Sequence, residues 1–234
     1  MSKNIAIITA RGGSKRIPRK NILEFCGKPI IAYSIESAIN SKIFKEVMVS
    51  TDDMEIAKIA KSFGANVPFY RSEKTSNDFA TTTDVIEEVL LEYQKIGQNF
   101  DFVCCIYPTA PFITDEKLKK SFDLIKEKNA DSVIPVTKYS YPIQRALKIE
   151  NGILEMIYPE NLDKRSQDLT TAYHDVGQFY WLNVNKFLKT GEFFSKSTVP
   201  IEIPESEVQD IDNVEDWKMA EIKYKVMRNK GKDE

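Results

Sequence analysis

Residues 4–21 read NIAIITARGGSKRIPRKN, and this stretch decides the fold class. The mostly apolar run Ile5 to Thr9 has the length of one buried strand, and the loop that follows it, Arg11 to Asn21, carries two glycines and five basic side chains. Such a loop at the carboxyl end of a buried parallel strand is typical of a site that holds phosphate groups. The loop lacks the spacing of a Walker A motif and of the G-x-G-x-x-G fingerprint, and a solvated basic loop is the alternative interpretation.

Beyond this loop, short apolar runs alternate with stretches of helical periodicity as far as Lys138. This alternation predicts an α/β fold with a mostly parallel, Rossmann-like sheet and helices on both of its faces. Pro29 is expected to open the first helix, Thr81 with Asp84 resembles a capping box, and Asn213 is expected to cap the last helix. The further predicted strands are residues 47–50, 102–107, 132–137 and 178–182, and residues 67–70 are expected to form either a strand or an extended segment.

The alternation stops after Lys138, where the chain becomes rich in tyrosine, proline and charged residues. Residues 139–175 contain only short strand-like pieces, at 146–149 and 154–157. We therefore predict that residues 139–175 form a small inserted subdomain, a dimerisation arm that also borders the second substrate, within one domain spanning 1–234.

The composition excludes several classes of protein. A net charge of −2 over 234 residues provides no basic field for nucleic acid, and no apolar run approaches the roughly 18 residues of a membrane helix. The chain enters a strand directly and shows no signal-peptide pattern, and its three cysteines, Cys26, Cys104 and Cys105, lack metal-ligand spacing. We expect a cytoplasmic protein without nucleic-acid or membrane partners.

The run Ala10 to Asn21 resembles the signature of the CMP-sialic acid synthetases and their relatives, the acylneuraminate cytidylyltransferase family. This resemblance implies a nucleotidyltransferase fold, a homodimer, CTP as co-substrate and Mg²⁺ as cofactor. The implied reaction joins CMP from CTP to the anomeric hydroxyl of a nine-carbon acidic sugar and releases pyrophosphate. Matching blocks follow in order across residues 4–228: Ser50-Thr51-Asp52, Arg71, Asp78-Phe79-Ala80-Thr81-Thr82, Tyr107-Pro108-Thr109-Ala110-Pro111 and Gln209-Asp210-Ile211-Asp212.

The same resemblance implies which residues bind the nucleotide. Arg11 and Lys20 are expected to be catalytic, with Lys20 nearest the α-phosphate. Two residues of the nucleotide-binding set have simpler interpretations: Thr81 could serve only as a helix cap, and Arg71 only as a surface charge. The nucleotide-binding set is Arg11, Gly12, Gly13, Ser14, Lys15, Lys20, Asn21, Arg71, Asp78, Thr81 and Thr82.

Asp210 and Asp212 form the candidate metal pair. In extended chain, a spacing of two residues points both carboxylates to one side and Ile211 to the other. Two hard oxygen ligands suit Mg²⁺ better than zinc. The same pattern often precedes a turn or a helix, and the predicted cap at Asn213 keeps that interpretation open. The family pattern favours metal binding, and an aspartate of the pair is the candidate proton acceptor.

The sugar site is expected in three polar blocks around residues 144–145, 165–168 and 173–180. By resemblance, N-acetylneuraminate enzymes carry arginine at the position of His174 and lysine at that of Gln144. Residues 142–147, 165–169 and 172–175 instead resemble pseudaminic acid cytidylyltransferases. Legionaminate, N-acetylneuraminate and 3-deoxy-octulosonate are alternative acceptors, and a non-catalytic nucleotide-binding regulator is an alternative of another class. The predicted sugar residues are Gln144, Arg145, Arg165, Gln167, Tyr173, His174, Gln178 and Tyr180.

Overall fold

A computed structural model describes residues 2–230, so Met1 and residues 231–234 of the predicted domain lie outside it. The chain forms eleven strands and seven helices within the described range. The strands are β1 Asn4–Thr9, β2 Glu24–Phe25, β3 Lys28–Pro29, β4 Glu46–Ser50, β5 Phe102–Ile106, β6 Ser132–Lys138, β7 Leu147–Glu150, β8 Ile153–Met156, β9 Tyr173–Asp175, β10 Phe179–Asn183 and β11 Thr198–Glu202. The helices are α1 Ile30–Ser41, α2 Met54–Ser62, α3 Glu73–Ser76, α4 Thr82–Lys95, α5 Asp115–Glu127, α6 Val184–Thr190 and α7 Val214–Lys230.

The central sheet has seven strands in the order β11-β6-β10-β5-β1-β4, with β9 paired to β6. The prediction of a mostly parallel sheet is wrong, because the sheet is mixed. Strand β1 runs parallel to β4 and β5, and β11 runs parallel to β6, but β10 is antiparallel to β5 and β6, and β9 is antiparallel to β6. The physical reason is that β10 follows the 139–175 insertion rather than a crossover helix, and only a crossover forces a parallel return.

Helices cover both faces of the sheet, as predicted. In β1 the side chains of Ala6 and Ile8 pack with α1, α2 and α5, whereas those of Ile5 and Ile7 pack with α4 and α6. This alternation follows from the period of two along a strand. Because β1 and β5 are parallel neighbours, their carboxyl ends lie at the same end of the sheet.

Local signals place three of the helix starts correctly. Pro29 precedes α1, the Thr81–Asp84 capping box opens α4, and the Asn213 side chain accepts backbone N–H bonds at the start of α7. Of the two alternatives for residues 67–70, the strand does not form, and only a single bridge between Met48 and Asn66 lies beside this run. Pro68 lies within that run and cannot donate to a strand ladder.

A third apolar cluster fixes helix α7 beside the basic loop. Trp217 and Tyr224 of α7 pack edge-on against Phe25 at ring-centroid distances of 5.4 and 5.6 Å. Ile17 of the basic loop and Ile211, which precedes α7, are buried in the same cluster. The cluster therefore brings the basic loop and the segment around Ile211 together.

The 139–175 segment contains an antiparallel β7–β8 hairpin that is separate from the central sheet. Its last three residues form β9, which joins that sheet. The apolar side chains of the hairpin face outward, and Ile149 is 76% exposed. No helix within residues 2–230 has the length and apolar character needed to cross a membrane.

Candidate functional site

A cleft of about 510 Å³ lies at the carboxyl ends of β1 and β5. Every residue of the predicted nucleotide-binding set lines it except Gly12 and Gly13. The cleft is also lined by residues outside the predicted set: Thr9, Arg16, Ile17, Thr75, Asn77, Ala80, Val85, Tyr107, Pro108 and Thr109.

The basic loop folds back across the mouth of the cleft. The buried Asn21 side chain donates to the Arg11 carbonyl at 2.9 Å, which holds the two ends of the loop together. Arg11 and Lys15 both form ion pairs with Asp78, at 2.8 and 2.5 Å. The hydrogen bonds from Lys15 and Arg11 lower the pKa of the Asp78 carboxyl. The cations therefore converge on one anionic group at the cleft wall.

Gly12 and Arg19 anchor the loop to the turn between β4 and α2. The Gly12 N–H donates to Asp52 at 2.9 Å, and a Cβ at Gly12 would lie 2.9 Å from an Asp53 carboxylate oxygen. Arg19 pairs with Asp53 and Glu55, and its hydrogen bond lowers the pKa of Asp53 to about 2. Glycine is thus needed for close packing at position 12, and four of the five cations of the loop remain to line the cleft.

Lys20 connects the basic loop to the aspartate pair. Its Nζ donates to the Ile211 carbonyl at 2.6 Å. Burial lowers the pKa of Lys20, and the charges of Asp212 and Asp210 oppose that shift. The ammonium group is therefore partly stripped of water and lies within the field of both carboxylates, where its charge acts strongly on a neighbouring anion.

Burial differs between the aspartate pair and the residue that separates the two carboxylates. Ile211 is buried at 1% exposure, Asp210 is exposed and Asp212 is half-buried. Asp212 forms an ion pair with Arg16 at 2.5 Å. The Asp216 carboxylate accepts the Asp212 and Asn213 N–H groups, so the segment also leads into a capped helix, and the two interpretations are compatible.

A resident metal at this pair would need ligands from elsewhere. Residues 2–230 contain no group of three His, Cys, Asp or Glu side chains that could hold a metal ion. Two carboxylates completed by phosphate oxygens and water are the usual environment of Mg²⁺. The donor set therefore fits Mg²⁺ brought together with a nucleotide.

Arg71 and Thr81 each have a structural contact as well as a place in the cleft wall. The Arg71 guanidinium donates to the Ser50 hydroxyl at 3.1 Å and to the Ser50 carbonyl at 2.7 Å, and burial lowers its pKa. Arg71 is therefore not a free surface charge. Thr81 forms the α4 capping box with Asp84.

A row of polar aromatic contacts leads from the cleft to strand β9. The Thr82 and Tyr107 hydroxyls lie 3.4 Å apart, and the Tyr107 ring packs on Tyr180 at a centroid distance of 5.5 Å. Tyr180 donates to the Asp175 carboxylate at 2.6 Å. Burial raises the pKa of both tyrosines, so both hydroxyls stay protonated near neutral pH. Tyr107 belongs to the Tyr107–Pro111 block, in which no local pattern marks the tyrosine as a site residue.

The predicted sugar residues divide into two groups, and none lines the cleft. On the arm, Gln144 donates to Thr170 at 2.9 Å, Arg145 donates to the Lys164 carbonyl, and Arg165 pairs with Asp168 at 2.8 Å. Gln167 is exposed on the same short 3-10 turn as Asp168. Tyr173, His174, Gln178 and Tyr180 lie instead on or beside β9 and β10, closer to the cleft.

His174 sits in a polar and aromatic environment on β9. Its Nδ1 lies 2.9 Å from the Asp175 carbonyl, and its ring lies 4.8 Å from that of Tyr139. A carbonyl only accepts, so Nδ1 carries a proton in this contact. Tyr173 beside it is 47% exposed.

The chain matches the family model described as Cytidylyltransferase over residues 5–202. It is 43% identical over 225 residues to a pseudaminic acid cytidylyltransferase of Campylobacter jejuni, covering 96% of this chain and 97% of the relative. It is 31% identical over 221 residues to the CMP-N,N'-diacetyllegionaminic acid synthase of Legionella pneumophila, covering 93% and 94%. The fold is similar to the structure of CMP:2-keto-3-deoxy-manno-octonic acid synthetase complexed with CTP, with a TM-score of 0.69, 17% identity and coverage of 97% and 100%.

Proposed function

Because the chain belongs to the cytidylyltransferase family, we propose that it transfers CMP from CTP to the anomeric hydroxyl of pseudaminic acid and releases pyrophosphate. The family establishes the class of reaction, and the most similar of the relatives named above supports this nine-carbon acidic sugar as acceptor. The observation that carries the proposal is the cleft itself. It places Lys20 and Arg16 of the basic loop against the segment of Asp210 and Asp212.

The reaction brings two anions together, so charge neutralisation dominates the rate. Arg11, Lys15 and Arg16 exchange their carboxylate partners for phosphate oxygens of CTP. Lys20 lies deeper than these cations and offsets the charge that develops at the α-phosphate. Fixed cations in a partly dehydrated cleft stabilise such charge far better than water does.

Asp210 and Asp212 are the proposed holders of Mg²⁺, as the fit of their donor set suggests. Mg²⁺ bound there would neutralise triphosphate charge and polarise the α-phosphate. One aspartate of the pair accepts the proton of the attacking sugar hydroxyl, since general-base catalysis requires an acceptor within hydrogen-bond reach. The Ile211 side chain, buried with α7, fixes the orientation of both carboxylates.

The acceptor site lies where β9 and β10 meet the cleft. His174 and Asp175 lie on β9 and Tyr180 lies on β10, and the tyrosine contacts connect Asp175 and Tyr180 to Tyr107 in the nucleotide cleft. His174 and Gln144 set the choice of sugar. An imidazole can form a hydrogen bond with an amide or hydroxyl group of the sugar, where a guanidinium would favour an anion.

The 139–175 arm is proposed to form a homodimer and to border the partner's sugar pocket. The arm residues Gln144, Arg145, Arg165 and Gln167 stand away from the cleft of their own chain, and the β7–β8 hairpin exposes several large apolar side chains. Exposed apolar patches of this kind commonly mark protein interfaces.

The reaction is tested by incubating the protein with pseudaminic acid, Mg²⁺ and CTP, and then with UTP or ATP in place of CTP. We expect equimolar pyrophosphate and CMP-linked sugar, with kcat/KM for CTP well above that for the other nucleotides. Comparable values for the three nucleotides would contradict the proposed nucleotide preference. Binding of CTP without turnover of any acidic sugar would instead favour a nucleotide-binding regulator.

A further inference from the structure

The segment 205–212 carries the aspartate pair but belongs to no strand. It consists of a short 3-10 turn, Glu205–Glu207, and irregular chain up to Asp212. Its geometry must therefore be fixed by side chains from other elements. Three such contacts converge on the two residues Glu207 and Val208.

The first contact is a largely buried ion pair. Lys117 of α5 is 15% exposed in its side chain and pairs with the Glu207 carboxylate at 2.5 Å. Its Nζ also donates to the Phe112 carbonyl at 2.7 Å. Burial lowers the pKa of Lys117, and the Glu207 carboxylate opposes that shift. A dehydrated ammonium with two fixed acceptors holds its partners in one geometry.

The second contact comes from Gln178, which is 3% exposed. The side-chain Nε2 of Gln178 donates to the Glu207 carbonyl at 2.7 Å. The main-chain carbonyl of Gln178 accepts the N–H of Tyr107 at 2.9 Å. Gln178 thus ties the segment to the end of β5, where the cleft begins. The third contact is a bond of 2.7 Å from Lys223 of α7 to the Val208 carbonyl.

We infer that Lys117 and Gln178 are positioning residues, which hold residues 207–208 so that Asp210 and Asp212 face the basic loop. The inference rests on the proposed function only for the role of the aspartates. It changes the role expected for Gln178, whose amide is directed to the Glu207 carbonyl and away from any sugar. Neither residue touches the reacting atoms, so neither is catalytic.

The experiment compares Lys117→Met and Gln178→Met with a control on the same helix, Lys119→Met. Lys119 forms an exposed pair with Asp115 two residues from Lys117. For each variant, amide hydrogen exchange of residues 205–212 and Mn²⁺ affinity with CTP are measured, together with kcat and the KM values for CTP and sugar. Lys117→Arg is included to test rescue, because it keeps the charge.

Both test variants should exchange faster at residues 208–212 and should lose roughly tenfold in metal affinity and in kcat, as supporting residues of metal sites do. The KM for sugar should not change, and Lys117→Arg should recover part of the loss. Unchanged exchange and metal affinity in folded variants would overturn the inference, as would a raised sugar KM in Gln178→Met. If Lys117→Met does not fold, Gln178→Met alone decides.

The two proposals can fail separately. In one outcome, Lys117→Met and Gln178→Met exchange faster at residues 208–212 but Asp212→Asn keeps full activity. That outcome would support the positioning contacts and refute the metal role of the aspartates. If exchange is unchanged in Lys117→Met and Gln178→Met but Asp212→Asn is inactive, only the positioning contacts are refuted.

Discussion

Replacing Lys20 with methionine removes a partly buried positive charge that lies within the field of the aspartate pair, while keeping the length of the side chain. The change removes one hydrogen bond, from Nζ to the Ile211 carbonyl at 2.6 Å. It also removes a cation that burial already penalises in the folded state, because burial lowers its pKa. Activity and stability should therefore respond in different ways.

The loss in activity can be worked from charge and distance. A unit charge acting on phosphate charge about 4 Å away contributes about 4 kcal/mol at an effective dielectric constant of 20. Removal of one preorganised donor in other enzymes costs roughly a hundred- to thousandfold in kcat, or about 3–4 kcal/mol. We therefore expect kcat of Lys20→Met to fall by about two to three orders of magnitude.

The effect on stability should be small. A lysine whose folded-state pKa lies below its unfolded value costs stability while both states are protonated, and that cost disappears in the variant. The unpaired Ile211 carbonyl costs about 1 kcal/mol in the opposite direction. The two terms offset each other, and we expect a Tm close to that of the parent protein.

The assay is pyrophosphate release at saturating CTP and sugar, with thermal unfolding measured on the same samples. Lys119→Met serves as the control, because it removes an exposed lysine from α5 without altering the cleft. A kcat for Lys20→Met above one tenth of the parent value would refute the role at the α-phosphate. A large fall in Tm would show instead that Lys20 is structural.

Four further predictions follow from the site. Asp212→Asn should keep the fold but lose nearly all turnover, and activity like that of the parent at ordinary magnesium concentrations would refute its metal role. His174→Ala should lower kcat/KM for pseudaminic acid by a factor equivalent to about 1–3 kcal/mol of activation free energy, the range for a lost buried hydrogen bond. CTP affinity, measured by calorimetry, should not change. Residues 139–175 should produce a dimer in sedimentation, so a monomer at high micromolar concentration would contradict the dimer. Asp53→Asn keeps a helix cap but loses the Arg19 ion pair, so the parent should be more stable by at most about 1 kcal/mol above pH 4. Because the pKa of Asp53 is lowered to about 2, the difference in stability between the parent and Asp53→Asn should disappear as the pH falls from about 4 towards 2. A stability difference that does not depend on pH would refute the stabilising role of this ion pair.

The parts of the fold with strong local signals could be predicted from the sequence. Apolar runs and caps located β1, β5 and α4, because these elements follow short-range rules. The direction of β10 could not be predicted, since it depends on how the chain returns after the insertion. Helix α6 and strand β11 were missed because their apolar patterns are short and interrupted by Lys186, Lys189 and Pro200.

The candidate site shows a similar division. The basic loop is contiguous in sequence, so its proposed role in phosphate binding could be inferred from composition and spacing. The ion pair between Arg16 and Asp212 joins residues far apart in the chain, and packing of Ile17 and Ile211 into one cluster creates it. The contact between Gln178 and Glu207 depends in the same way on tertiary packing, which no local pattern encodes.

The most direct test of the proposed function is a panel of acceptor sugars at saturating CTP. Pseudaminic acid, legionaminate, N-acetylneuraminate and 3-deoxy-octulosonate are compared by kcat/KM for pyrophosphate release. We expect pseudaminic acid to exceed each of the others by at least about tenfold, the discrimination that 1.4 kcal/mol of differential transition-state binding provides. An equal or higher value for any other sugar would contradict the assignment of pseudaminic acid as the acceptor.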